Sequence, residues 1–426
     1  MGLERRNSDF DLDEYFVGPR DVNRHSKWPM FLRIHGSVLP QMILPLFFIG
    51  GWATLFTCLD KLEVTRPLGI SSLLLTVLGF VVGLALSFRS STAYERYAEG
   101  RKYWAQLMLT SQQLARLIWV LIREREGEEG KQDLLAKISA LNLINAFAVA
   151  LKHRLRFEPY THYSDLQNLV EHLDTFAKEA STPELTQRQR PSKIKSWGKF
   201  LGLSFAVSNP RKTLKTCTKP VGNLPLEILS YLSAYLDSTI DNKTLLAPIH
   251  QTHAMNNVAA LNDVLTGTDR ILNTPLPIAY SIAIAQITWV YVLLLPFQLL
   301  SALDWITIPA TMFAAYIILA IAHIGQEIEN PFGDDVNDLP LDAFCKQLAA
   351  EIDVIAATPA PKQEEFVRNT QNLVLFPLSV SGYELWESRS VEQIRKALRD
   401  KVNMTMNEKA DVTAAAVTTT EKHGDV

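Results

Sequence analysis

Six carboxylates, Glu327, Glu329, Asp334, Asp335, Asp338 and Asp342, fall within sixteen residues around Asn330-Pro331-Phe332-Gly333. Oxygen-rich clusters of this kind suit calcium, a hard cation that takes six to eight oxygen ligands. The spacing is not that of an EF-hand, which needs glycine at the sixth loop position and glutamate at the twelfth. A scaffold reading stands beside the metal reading. Asn330-Pro331 and Gly333 are turn residues, and Asp338 can cap a helix starting at Leu339-Pro340.

A second concentration of charge and aromatics runs Phe88-Arg89-Ser90-Ser91-Thr92-Ala93-Tyr94-Glu95-Arg96-Tyr97 and on through Glu99-Gly100-Arg101-Lys102-Tyr103-Trp104. It serves either interfacial anchoring or salt bridges to neighbouring helices. Just before it, Phe80, Leu84 and Phe88 stand at i, i+4 and i+8, one above another on a helix face. Gly79, Gly83, Ala85 and Ser87 flank them and allow close helix approach. Such a stripe suits lipid contact or packing. It equally suits a hydrophobic constriction if several copies share an axis, because phenyl edges are electropositive and an apolar collar gates by excluding water.

Enzymatic chemistry is not expected. His250, His253 and His323 are scattered, with no HExxH and no defensible Ser-His-Asp set. Cys58, Cys217 and Cys345 form no CxxC, disulfide framework or zinc pattern. A net charge of −3 gives no reason to expect nucleic acid.

The elements that hold these groups follow from where charge is missing. Between Arg66 and Arg89 lie 22 uncharged residues, and from Ile271 to Gln326 the only formal charge is Asp304. A bilayer core about 30 Å thick needs roughly 20 apolar residues per helix. The expected fold is therefore all-α: an integral membrane protein with four transmembrane helices and a helical cytoplasmic domain. Residues 1–36 form an N-terminal segment. Helices one and two occupy 37–88, and 89–276 is the cytoplasmic domain with a basic insertion at 181–220. Helices three and four occupy 277–325, a C-terminal region with the acidic turn spans 326–402, and 403–426 is a tail too polar to fold. No secretory signal pattern precedes the first span, which is expected to act as its own signal.

Arg20, Arg24, Lys27 and Arg33 precede span one, and Arg89, Arg96, Arg101 and Lys102 follow span two. The positive-inside rule then puts both termini and the middle segment on the cytoplasmic side of a plasma or internal membrane. Leu107, Leu114, Leu117 and Leu121, and then Leu134, Ile138, Leu141, Ile144 and Phe147, recur at helical spacing. The insertion at 181–220 reads as a solvated loop or as a contact for anionic headgroups.

The acidic segment from Glu327 to Asp342 resembles the bestrophin family of anion channels, in its bacterial, fungal and plant branch. Phe88-Arg89 with Tyr94-Glu95-Arg96-Tyr97 and Glu99-Gly100-Arg101, and Thr274-Pro275-Leu276-Pro277-Ile278-Ala279-Tyr280, are similar to the same family. The resemblance covers about residues 30–360 and implies a homopentamer around one pore. It places a neck at Phe80, Leu84 and Phe88 and a cytoplasmic constriction at Ile249. Animal members are gated by calcium. Matching their clasp puts side-chain ligands at Asp335 and Asp338 and a backbone carbonyl at Asn330, with Val336 and Asn337 interrupting the pattern. Bacterial relatives conduct without the clasp, so no cofactor is required. The expected partners are chloride or another monovalent anion, membrane lipid and further copies of the chain.

Passive anion conduction is the leading expectation. The alternatives are a cation-permeable channel of the same fold, a coupled anion transporter, and a membrane-anchored scaffold. A carrier would bury ionisable groups mid-membrane, whereas these spans hold no acid or base outside the Asp304 loop.

Overall fold

The structure, a computed structural model, describes residues 29, 32, 34, 36–63, 72–158, 161–180 and 222–404. The basic insertion at 181–220, nearly all of the N-terminal segment 1–36 and residues 405–426 of the tail lie outside the described residues. Every regular element among the described residues is helical. The chain forms two compact units, 1–356 and 357–426.

In the first unit α1 spans Leu39–Lys61 and α2 spans Ser72–Arg116. Pro40 sits in the first turn of α1, where its missing N–H removes nothing. Helix α2 continues without a break from its apolar half into the charged segment after Phe88. Its 45 residues make a rod of about 67 Å. It ends in a π-helical turn, Leu117–Leu121. Helix α3, Glu128–Leu155, opens with Glu128 and Glu129 and closes with Lys152, His153 and Arg154, each matching the dipole at its end. Short α4 (Gln167–Val170) and α5 (Phe176–Ala180) follow, then α6 (Leu224–Asp241) and α7 (Pro248–Asn273), which also starts on proline.

Helices α8 (Ile278–Leu303) and α9 (Thr307–Glu327) are joined by a single 3-10 turn, Asp304–Ile306. Pro296 lies inside α8 without ending it. Helix α10 runs Leu341–Ala356. The expected cap on this helix is corrected. It starts at Leu341, two residues later than Leu339, and the Asp338 carboxylate accepts the Asp335 N–H at 2.8 Å instead. In the second unit α11 (Gln363–Val367), α12 (Tyr383–Glu387) and a helix over 391–404, α13, surround little more than buried Leu375 and Trp386.

Four stretches are long and apolar enough to cross a membrane: Leu39–Lys61, Leu75–Leu121, Glu128–Leu155 and Ile278–Glu327. The last holds two helices, α8 and α9. Helix α3 meets the same criteria, but 61% of its apolar window is buried inside the protein, against 22–28% in the other three. It is the centre of a soluble-type bundle with α6, α10 and α2, and its neighbours already supply its apolar surroundings. The candidate membrane layer is α1, the first half of α2, α8 and α9.

Close approach holds that layer together. A Cβ on Gly50 would lie 3.0 Å from Met312 Sδ, and one on Gly79 would lie 3.0 Å from the Tyr291 hydroxyl. Trp52 Nε1 donates to the Leu293 carbonyl at 3.1 Å, and Phe56 packs between Trp52 and Phe297. At the layer's edge, Lys61 pairs with Asp304.

Candidate functional site

The three motif segments converge in space. Arg96, on α2 two turns below Phe88, donates from Nε to the Glu329 carbonyl at 2.9 Å and from Nη2 to the Ile271 carbonyl at 2.6 Å. Its Nη1 donates to the Thr274 carbonyl. One guanidinium thus serves carbonyls at the end of α7, in the turn before α8 and in the turn after α9. Lysine lacks the planar fork that reaches three such acceptors. Glu329 completes the knot: Oε1 accepts the Leu276 N–H at 3.3 Å, and Oε2 lies 3.7 Å from Arg89 Nη2. Below it Arg270 pairs with Glu99, and the Arg101 guanidinium lies 4.5 Å from the Phe344 ring centre.

Gly100 matters here for space. A Cβ at this position would lie 3.1 Å from both Phe332 and Pro331, so any side chain would press on the fully buried Phe332 ring. The charged segment after span two therefore serves as salt bridges and hydrogen bonds, one of the two roles its composition allowed.

The neck candidates Phe80, Leu84 and Phe88 lie along one side of α2 and are 73%, 47% and 57% exposed in the protomer. The opposite side of the same helix, Val82, Leu86, Arg89 and Ala93, is buried against α8 and α9. Ile249 stands in the first turn of α7, 73% exposed. These four side chains are thus free to meet water, lipid or another copy.

The acidic turn is largely neutralised from within. Asp342 takes Lys152 at 2.7 Å and Arg156 at 2.8 Å, and Arg156 also reaches Asp334 at 3.9 Å. Lys152 further pairs with Asp165. His153 Nε2 lies 3.0 Å from Asp165 and Nδ1 lies 2.8 Å from Glu158. Burial opposes charging of His153, yet the Asp165 and Glu158 carboxylates raise its pKa. His153 and Lys152 together hold Asp165 far below the usual carboxylate range. Burial among these charges pushes the Cys345 thiol up to about 12, which keeps it protonated and inert.

Among the described residues no group of three or more His, Cys, Asp or Glu side chains is placed to hold a metal. One Asp338 oxygen is committed to the Asp335 N–H and packs over Gly333, where a Cβ would lie 2.3 Å away. Burial raises the Asp338 pKa to about 7.

Sequence reasoning missed Lys152, His153, Arg156 and Asp165. Their only local signal is the basic run at the end of α3. Their partner Asp342 lies 190 residues from Lys152.

The four-helix membrane layer continuous with a helical bundle is a bestrophin-type architecture. A crystal structure of a bacterial bestrophin homolog from Klebsiella pneumoniae superposes with a TM-score of 0.54 at 21% identity, covering 75% of this chain and 100% of that one. The sequence matches the family described as Bacterial/Fungal Bestrophin protein over residues 20–199 and 208–354. The chain belongs to that family, and it is an integral membrane protein. The voltage-dependent anion channel-forming protein of Nostoc sp. is 33% identical over 347 residues, 80% of this chain and 96% of that protein. Its Synechocystis counterpart is 32% identical over 78% of this chain and 92% of its own length. The protein of that name in Escherichia coli K12 is 27% identical over 75% and 88%.

Proposed function

We propose that the chain assembles as a homopentamer and conducts chloride or a similar monovalent anion passively along its five-fold axis. The observation that carries this reading is the exposed stripe Phe80, Leu84 and Phe88 on a helix whose other side is fully packed. An apolar collar of this kind, repeated around an axis, excludes water until it widens, and phenyl edges favour an anion over a cation. The naming of three relatives as anion channel-forming proteins supports the permeant species. Both termini face the cytoplasm in this reading, as the lysines and arginines flanking spans one and two indicate. Ile249, at the N-terminal end of α7, forms a second constriction where the positive end of the helix dipole favours anions without fixed positive charge.

Purified protein in a planar bilayer tests the proposal. The expected result is anion current, with conductance raised when Phe80, Leu84 and Phe88 are all changed to Ala. Silence from well-assembled protein, or a conductance indifferent to the triple substitution, would sink the assignment of the neck.

A further inference from the structure

The exposed stripe on α2 does not end at Phe88. At 100° per residue, positions 80, 84, 88, 91, 95, 98 and 102 all fall within a sector of about 80°. Phe80, Leu84, Phe88, Ser91, Glu95, Ala98 and Lys102 are each exposed. Opposite them Val82, Leu86, Arg89, Ala93, Gly100, Trp104 and Leu107 are buried. Because α2 is unbroken from Ser72 to Arg116, whatever the upper stripe faces, the lower stripe faces too. Its chemistry changes after Phe88, from apolar to polar and charged.

The charges on this stretch divide into two groups. Arg89, Arg96, Glu99 and Arg101 are engaged with Glu329, with backbone carbonyls, with Arg270 and with Phe344. Glu95 and Lys102 take no side-chain hydrogen bond or ion pair among the described residues. They are also the two charged members of the exposed stripe. A fold that pairs its other charges here leaves these two free on one line below the neck.

We propose that Glu95 is the charge-selecting position of the conduit, forming a ring of carboxylates just beyond the neck, with Lys102 as a weaker opposing ring. This rests on the pore reading above. Seven residues separate Phe88 from Glu95 and Glu95 from Lys102, an advance of about 10 Å each time. The Debye length at physiological salt is about 8 Å, so the two rings act separately and the one nearer the constriction governs entry. The carboxylate ring concentrates cations and opposes anions at the neck. The apolar collar's preference for anions is thereby reduced, and the chain is a weakly selective channel.

Reversal potentials of the reconstituted full-length protein across a salt gradient test this. Glu95→Gln raises the anion-to-cation permeability ratio several-fold and Glu95→Lys raises it further. Lys102→Gln lowers the ratio by a smaller factor. Glutamine keeps the shape of the side chain, and pentamer elution on gel filtration confirms assembly. A second readout needs no variant of doubtful folding: the wild-type ratio drifts toward that of Glu95→Gln as salt rises to 1 M, where the Debye length is about 3 Å. Conducting Glu95→Gln channels with an unchanged ratio at both salt levels overturn the role of Glu95 and leave the neck intact. Absence of current in assembled wild-type protein overturns the pore reading, and this inference with it.

Discussion

Helix α3 contains a stretch nearly as apolar as any in the pair α8 and α9, yet the two meet opposite surroundings. The bundle around α3 holds one continuous core, running from Trp104 on α2 through Phe147 to Ile352 on α10. The membrane layer holds two small clusters, one around Met42, Ile49 and Val292 and one around Val82, Leu86 and Ile284. Water forces the bundle to bury its apolar side chains on one another. Lipid imposes no such demand, so the membrane helices leave Phe47 and Phe313 outward and rely on close contacts at Gly50 and Gly79. Charge is treated in the reverse manner. The bundle buries Lys137, Lys152 and His153 and pairs each of them, while the layer keeps the pair of Lys61 with Asp304 at its edge. Apolar composition alone therefore does not say which solvent a helix has; its neighbours do.

The knot between the two regions is where the contrast is most easily broken. Changing Arg96 to Ala strands three carbonyls and removes charge-assisted hydrogen bonds worth about 1.5–3 kcal/mol each. The expected loss is about 4 kcal/mol or more, seen as collapse of the thermal transition in detergent and loss of assembled protein. Lysine at this position rescues little, because it cannot keep three acceptors at once. Retention of wild-type stability by Arg96→Lys would show that the knot does not depend on the fork.

A matched pair of truncations tests the two solvents directly. Phe147 is fully buried in the bundle, and its change to Ala costs about 3–5 kcal/mol through lost contacts and a cavity. Phe47 is 73% exposed on α1, and Phe47→Ala costs under about 1 kcal/mol in a lipid environment, where acyl chains fill the space. Equal costs would mean that α1 packs against another protein surface and not against lipid.

Much of this division was legible in the residues. The uncharged runs located α1, α2, α8 and α9, and the charge-aromatic density after Phe88 announced contacts at the membrane exit. The unbroken course of α2 was hidden, because composition changes sharply at Arg89 while the backbone ladder, which ignores side-chain polarity, does not. The place of α3 in the helical domain was legible, but its packing partners α6 and α10 were not, since they come from distant parts of the chain. In the acidic turn the ion pairs were hidden: Asp334 and Asp342 answer Arg156 and Lys152, cations brought there only by tertiary folding.

The buried charges of the bundle give a smaller, pH-dependent effect with a definite sign. The folded pKa of His153 is raised above its ordinary value of 6.5 by Asp165 and Glu158, although burial pulls the other way. Its contribution to stability is fully present below about 6.5 and is lost as pH rises through the folded pKa. Thermal stability of the wild type should fall over that interval, and His153→Gln should flatten the profile. An identical slope in the variant would move the dependence to another group.

The smallest effect is expected at the edge of the membrane layer. Lys61 pairs with Asp304, tying the end of α1 to the turn between α8 and α9. Asp304 adopts φ 48, a left-handed conformation unfavourable for a side chain with a Cβ, so this turn has a reason to be held. The Asp304 side chain is nevertheless 71% exposed, and an exposed pair contributes little once solvent screening and side-chain entropy are included. Lys61→Gln should therefore leave the melting temperature nearly unchanged. Asp304→Gly should match or exceed the wild type, because glycine relieves the backbone at the cost of a weak pair. A marked loss in both variants would show that the pair is shielded from water, as it would be if headgroups or a neighbouring copy covered the turn.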